Sequence, residues 1–324
     1  MIRQKEFSKV VVLIKQSKEK AIKSVNTELI DLYWDIGEYI HNQIKNSDWG
    51  QSVVKELADY LSKNEPDLKG FSDKNLWRMK QFYETYKDLP KLSPVVREIS
   101  WTNNLTILGR TKSIEEKEFY LRLAIRERYT KRELERQISS GTYERTMLGN
   151  SKISVPLRAT HPNVVNNFKD SYIFEFLGLP KSHAEKDLQR GLIAQLKNFI
   201  LELGRDFLFI GEEYRIQVGN NDFFIDLLFY HRGLQCLVAF ELKADKFRPE
   251  HLGQLNFYLE ALDRDVRNPN ENPSIGILLC KDKDNEVVEY ALSRSLSPTM
   301  VSEYQTQLPD KKLLQRKIHE LFDE

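Results

Sequence analysis

Three charged residues sit where the surrounding sequence does not favour charge: Asp226 inside FFIDLLFY (223–230), and Glu241 and Lys243 at the end of QCLVAFELK (235–243). Both runs consist of aromatic and branched apolar residues, the composition of buried strands. His231-Arg232-Gly233 between them has turn character, so the two runs read as a hairpin. Alternation with a period of two puts Glu241 and Lys243 on one face with Leu237 and Ala239. With 231–234 as the loop, residue 230 pairs with 235 and Asp226 lies opposite Ala239. Asp226 is then diagonal to Glu241, roughly 7–8 Å away between backbone positions and on the same side of the sheet. A loop of different parity would break the relation.

An ionised carboxylate in apolar surroundings is costly unless something compensates it. Two carboxylates within joint reach of one point suit a hard divalent cation, and oxygen donors favour Mg2+ or Mn2+. With six histidines and two cysteines in the chain, a zinc site fits poorly. A divalent ion so held polarises a phosphoryl oxygen and lowers the pKa of a bound water. Lys243 would hold that water or offset charge on the phosphorus oxygens in the transition state. The alternative is structural: a Glu241–Lys243 ion pair at a strand end and a hydrogen-bonded buried Asp226. A glycosidase using Asp226 and Glu241 leaves Lys243 without a role.

A helix begins near Pro249, a favourable first-turn residue, with Leu252, Leu255, Leu259 and Leu262 as its buried stripe. Gln254 and Tyr258, four apart, share another face. Asp226, Glu241-x-Lys243 and Gln254-x-x-x-Tyr258, in strand–strand–helix order, resemble the PD-(D/E)XK nuclease core. The runs IDLLFYHR, FELKADKFRPEHLGQLNFYLEALD and ENPSIGILLCKDKD (271–284) resemble, more closely, the YhcG-type bacterial proteins with a C-terminal PD-(D/E)XK domain. This resemblance covers almost the whole chain.

The resemblance implies Asp226 and Glu241 as metal ligands, with the backbone carbonyl of Leu242 as a further donor. Lys243 would serve the water or the transition state. Gln254 would orient Lys243, the water or a phosphate, and Tyr258 would position the nucleic-acid strand or simply pack. The superfamily's proline before the first acid is Ile225 here. Many members also carry an acid on the helix before the first strand; Glu185 and Asp187 are the candidates, whereas Gln189, nearer the middle of that helix, is uncharged.

Around this hairpin the remaining elements form a restriction-endonuclease-like mixed sheet flanked by helices, within 171–324. An amphipathic helix spans 184–203 and ends at Gly204, and a first strand follows at 206–218. After the Gln254 helix come an apolar strand at 274–280, a helix around 287–292, a short strand at 300–304 and a terminal amphipathic helix. A helix between the hairpin and a further buried strand requires a crossover. Glu212 and Glu213 read as solvated charge at a strand edge. Cys236 and Cys280 read as reduced thiols in buried strands, without a disulfide or zinc framework.

The first 145 residues read as a separate, all-helical domain, which makes the whole chain a multi-domain α/β protein. A long helix covers 5–46, with Val25, Leu29, Leu32, Ile36, Tyr39 and Ile40 on its apolar side and Gly37 as the place for a bend. Helices at 51–63 and from Asp73, the second capped by Ser72, outline a helix-turn-helix with a long turn. Lys74, Arg78 and Gln81 share one side of the second, a face suited to phosphates or base edges, or an ordinary solvated face. Residues 87–112 read as a connector with one short helix. Capping boxes at Ser113/Glu116 and Thr130/Glu133 open helices 114–128 and 131–139. Arg128, Arg132 and Arg136 recur every four residues as a basic strip, a phosphate-contact candidate. Residues 146–170, with Gly149, Pro156 and Pro162, lose helical periodicity and read as the linker, with His161 in it.

A chain that is 40% hydrophobic and 11% aromatic is not disordered, and its first residues form neither a signal peptide nor a membrane span, so a cytoplasmic protein is expected. Net charge of +1 means that any nucleic-acid contact comes from local patches. The expectation is thus a metal-dependent endonuclease that cuts nucleic acid, with DNA as the expected substrate, in the defence or DNA-processing setting that the family resemblance implies. A homodimer and a partner protein stay open. The rival is a DNA-binding or assembly subunit whose nuclease-like fold does not cut.

Overall fold

The computed structural model describes residues 2–46, 51–149, 151–161 and 167–322. The chain forms two compact units, one up to Ile138 and one from Ser139 onward.

The first unit is helical: α1 (Ile2–Asn46), α2 (Gln51–Asn64), α3 (Asp73–Tyr86), α4 (Ser93–Val96), α5 (Trp101–Arg110), α6 (Ile114–Glu127) and α7 (Lys131–Ser139), the last crossing the boundary by one residue. Helix starts follow local chemistry. The hydroxyls of Ser72 and Ser113 accept from the backbone N–H of Asn75 and Glu116, and Glu133 accepts from Thr130 N–H. The expected connector at 87–112 holds α4 and the ten-residue α5. Its polar Asn103 and Asn104 are buried because their amides cap the backbone carbonyls of Tyr129 and Val96.

Helix α1 departs from expectation in two ways. Of the expected stripe, Ile40 is buried and Ile36 packs against the same cluster, whereas Val25, Leu29, Leu32 and Tyr39 are exposed and Ile30 and Tyr33 are buried instead. Two apolar stripes run side by side there, and contact with α3 and with the α4–α5 segment, through Trp101, selects between them. The helix also continues unbroken through Gly37. A Cβ at that position would come within 2.2 Å of the Met79 carbonyl oxygen, so the glycine allows α1 and α3 to approach closely.

The second unit is built on a six-stranded sheet in the order β1-β6-β5-β4-β3-β2. The strands are β1 (Ser171–Ile173), β2 (Phe207–Val218), β3 (Asn221–His231), β4 (Cys236–Lys246), β5 (Ile275–Asp282) and β6 (Thr299–Gln305). β2, β3 and β4 pair antiparallel, while β4, β5, β6 and β1 run parallel, giving the mixed sheet. Helices α8 (Thr142–Leu148), α9 (Val155–Thr160), α10 (Glu185–Ala194), α11 (Leu196–Leu203), α12 (His251–Ala261), α13 (Asn285–Ser293) and α14 (Lys311–Phe322) complete it. One core cluster joins Leu188, Leu192, Phe199 and Leu203 to Phe229 and Phe240; another joins Leu252, Leu255, Tyr258 and Leu259 to Leu228, Leu237 and Ala239. The sheet is therefore apolar on both faces, α10 and α11 against one and α12 against the other.

Three local expectations are revised. The helix at 184–203 is two helices, because Gln195 leaves helical geometry (φ −112°, ψ 32°) while both halves send residues to the same cluster. β1 adds a parallel edge that its three residues do not announce. The stretch expected to link the domains packs onto the second unit. Ser154 donates to the Ser297 carbonyl, Leu157 and Phe168 join the core, and Lys169 meets the buried Glu202 at 3.1 Å. His161 is buried at the end of α9.

Candidate active site

The β3–β4 ladder runs from His231 opposite Cys236 to Leu227 opposite Phe240. The loop is therefore 232–235, one residue later than expected, and the pairing is shifted by two positions. Tertiary detail sets this register: Gln235 takes a left-handed φ of 52°, and Leu234 N–H donates to the His231 ring. A shift of two preserves parity. Carried one residue past the end of the ladder, this register sets Asp226 and Glu241 at facing positions of two diverging strands rather than diagonal to each other.

Beyond Leu227 and Phe240 the strands part, β3 pairing onward with β2 and β4 with β5. Asp226 sits in this split. Its Oδ2 accepts from the Leu242 N–H at 2.7 Å, so a side chain takes over where the backbone ladder ends. The Gln189 amide of α10 donates to the Asp226 backbone carbonyl at 3.2 Å, which makes Gln189 a positioning residue that sequence reading credited with no role. Lys243 Nζ lies 3.0 Å from Glu241 Oε1 and 3.4 Å from Glu185 Oε2. Of the two helix acids, Glu185 thus reaches the site. Asp187 instead accepts, at 3.4 Å, from the Ala184 N–H at the start of its own helix.

Burial dominates the electrostatics. It pushes the Glu241 carboxyl up to about 7, reinforced by the Asp226 charge and opposed by Lys243. Asp226 is also raised, by burial first, against the Leu242 N–H and Lys243, with Glu185 and Glu213 adding to the rise. For Lys243, burial works to lower the ammonium, but Glu241, Glu185 and Asp226 outweigh it and hold it charged. Glu241 is 2% exposed and its Oε2 has no hydrogen-bond partner. Gln254 lies exposed on α12, and its amide donates to the hydroxyl of the buried Tyr258, whose pKa is raised by burial and by the same two carboxylates.

These groups fit a divalent cation. The donors are hard oxygens, one buried oxygen is orphaned, and a positive ion would relieve the repulsion between Asp226 and Glu241. Among the described residues no three His, Cys, Asp or Glu side chains are gathered closely enough to cage an ion. Mg2+, which keeps several waters and binds through one or two carboxylates, does not need such a cage.

In the first unit, Lys74, Arg78 and Gln81 are all exposed on α3, opposite the buried Leu76, Met79 and Phe82. The arginine strip does not form one helical face, because Arg128 takes φ 51° and ends α6, leaving Arg132 and Arg136 on α7. Cys236 and Cys280 are free and buried, which pushes both thiols up to about 12. Among the described residues no helix is long and apolar enough to cross a membrane.

Residues 165–319 match the model of the YhcG PDDEXK nuclease domain, and residues 9–145 match the DUF1016 N-terminal domain. YhcG of Escherichia coli (strain K12) is 30% identical over 341 residues, covering 94% of this chain and 90% of that protein. The chain belongs to the YhcG family of PDDEXK nucleases. Nucleases of this class generally use divalent metal ions. Among solved structures, a repair endonuclease from Pyrococcus abyssi overlaps 36% of this chain and 47% of its own, at 19% identity and a TM-score of 0.26. EndoMS in its apo form overlaps 40% and 48%, at 15% identity and a TM-score of 0.25. The chain thus spans about half the length of each.

Proposed function

We propose that this nuclease is a metal-dependent endonuclease that hydrolyses phosphodiester bonds in DNA, with Mg2+ or Mn2+ as its ion. The observation that carries this reading is the orphaned Oε2 of Glu241, buried across the strand split from Asp226 and beside Lys243. Asp226, Glu241 and the Leu242 carbonyl would hold the ion, with Glu185 at the rim. Bound there, the ion would supply a polarised phosphoryl oxygen and a more acidic water.

The chain's own groups supply the rest. Lys243, kept charged by three carboxylates, stands ready to hold the attacking water or to neutralise charge developing on the phosphorus oxygens. Gln189 holds the Asp226 backbone carbonyl and the Leu242 N–H holds its carboxylate, so Asp226 would bind an ion with little reorganisation. Gln254 is placed to orient a phosphate or water, and Tyr258 braces it. In this reading 1–145 is the DNA-binding domain and 171–324 the cutting one. Lys74, Arg78 and Gln81 would contact phosphates or base edges, with Arg128, Arg132 and Arg136 contributing backbone contacts singly. The same reading extends to a cytoplasmic role in DNA processing or in defence against foreign DNA, which the family resemblance suggests.

The test is cleavage of labelled single-stranded, duplex and branched DNA, and of RNA, with Mg2+, Mn2+ or chelator. Cleavage should require the ion, vanish in Asp226→Ala and fall about 10²–10³-fold in Lys243→Ala. Cleavage of RNA alone would overturn the substrate assignment. DNA binding without cleavage, equal in wild type and Asp226→Ala, would favour a non-cleaving binding subunit.

A further inference from the structure

By its sequence Glu213 is solvated charge at a strand edge, and the tertiary structure gives it a different position. The pairs Glu212 with Leu227 and Tyr214 with Ile225 bracket it, so Glu213 lies across the β2–β3 ladder from Asp226. It also holds φ 43° inside a strand, a conformation that Gly or Asn adopts more readily. At this level the strand pair changes the core it faces: Phe207, Leu227 and Phe229 pack with α10 and α11, whereas Ile216 and Ile225 pack with α12. The kink therefore accompanies the twist that opens the split around Asp226.

A kink alone would be served better by Gly or Asn. Instead the position carries an exposed carboxylate whose charge is felt at Asp226. The independent pointer to a cation is the partnerless Oε2 of Glu241, on a side chain 2% exposed.

We propose that Glu213 is a further carboxylate of the metal site, held by the β2 kink across from Asp226 to accept hydrogen bonds from the water shell of the divalent ion. The proposal rests on reading the site as that of a divalent-cation nuclease. An ion bound through only two carboxylates keeps several waters, and groups that orient those waters tune its affinity. Glu213 is in this sense a positioning residue. The neighbouring Glu212, one residue away in the same strand, pairs instead with Leu227, a member of the core that α10 and α11 cover.

The test is Mn2+ binding, titrated by the paramagnetic resonance of the free ion, on the full chain and on Glu213→Gln, Glu213→Gly, Glu212→Gln and Asp226→Ala. Glycine accepts the φ of this position, so Glu213→Gly removes the carboxylate without disturbing the kink, and its thermal transition in chelator should not fall. Both Glu213 variants should bind Mn2+ about 10-fold more weakly, and Glu212→Gln as wild type does. Wild-type affinity in Glu213→Gln, or equal weakening in Glu212→Gln, would overturn the proposal and leave the nuclease reading standing. Absence of Mn2+ binding by the wild type, or wild-type binding by Asp226→Ala, would overturn both.

Discussion

Glu241 gives the site a stability signature that can be measured without substrate. Its carboxyl rises from an ordinary value near 4.5 to about 7 in the folded, ion-free chain, burial being the largest cause. Below pH 4.5 the group is neutral in both folded and unfolded chains and contributes no difference. Between pH 4.5 and 7 the unfolded chain ionises first, so the relative stability of the neutral folded form is progressively lost; above pH 7 the loss is complete and constant. At about 1.36 kcal/mol per pH unit, the full loss is about 3 kcal/mol. Glu241→Gln mimics the neutral form at every pH. In chelator it should therefore be more stable than wild type by about 3 kcal/mol at pH 8, with the advantage vanishing near pH 4.5. For a unit of this size that is about 6–12 °C in the unfolding transition. Mg2+ or Mn2+ at pH 8 should then stabilise the wild type and leave Glu241→Gln nearly unmoved, since a ligand stabilises only the state that binds it. Scanning calorimetry from pH 4.5 to 8.5, with and without ion, measures both effects. A Glu241→Gln variant less stable than wild type at pH 8 in chelator would refute the reasoning, because Lys243 would then be offsetting the burial of the carboxylate in full.

Two further outcomes test the frame that carries the site. Gly37→Ala should destabilise the helical unit by about 1–3 kcal/mol, because its methyl would meet a backbone oxygen of α3 that cannot swing away; the urea midpoint of that unit reads it. Glu202→Ala should cost the second unit about 3–5 kcal/mol, since it strips a fully buried carboxylate from Lys169 Nζ at 3.1 Å and from the Ile173 N–H at 3.1 Å; the shift in that unit's urea midpoint measures it.

The core of the candidate site was legible in the sequence because its signals are local. Charges at the ends and middle of apolar runs mark a strand face by period-two alternation, and the four-residue spacing of Gln254 and Tyr258 marks a helix face; both relations hold whatever the rest of the chain does. Helix starts at Ser72, Ser113 and Thr130 were legible for the same reason, since a cap closes on its own next turn. A loop one residue later than expected shifts the pairing by two, which keeps each side chain on its face.

Tertiary structure decided what depends on partners distant in sequence. The stripe of α1 that packs is chosen by α3 and by Trp101 of α5, and the approach of α3 also explains Gly37. The break at Gln195, the parallel edge β1 and the left-handed Arg128 reflect packing and chain reversal that composition does not announce. Between Glu185 and Asp187 the choice rests on which carboxylate faces Lys243 once α10 docks on the sheet. The sequence alone determined which residue types could hold a divalent ion and roughly where. The β2–β3–β4 register determined that Asp226 faces the Glu241 end of β4 and that Glu213 lies across β2–β3 from Asp226, because register arises from long-range pairing that no local pattern encodes.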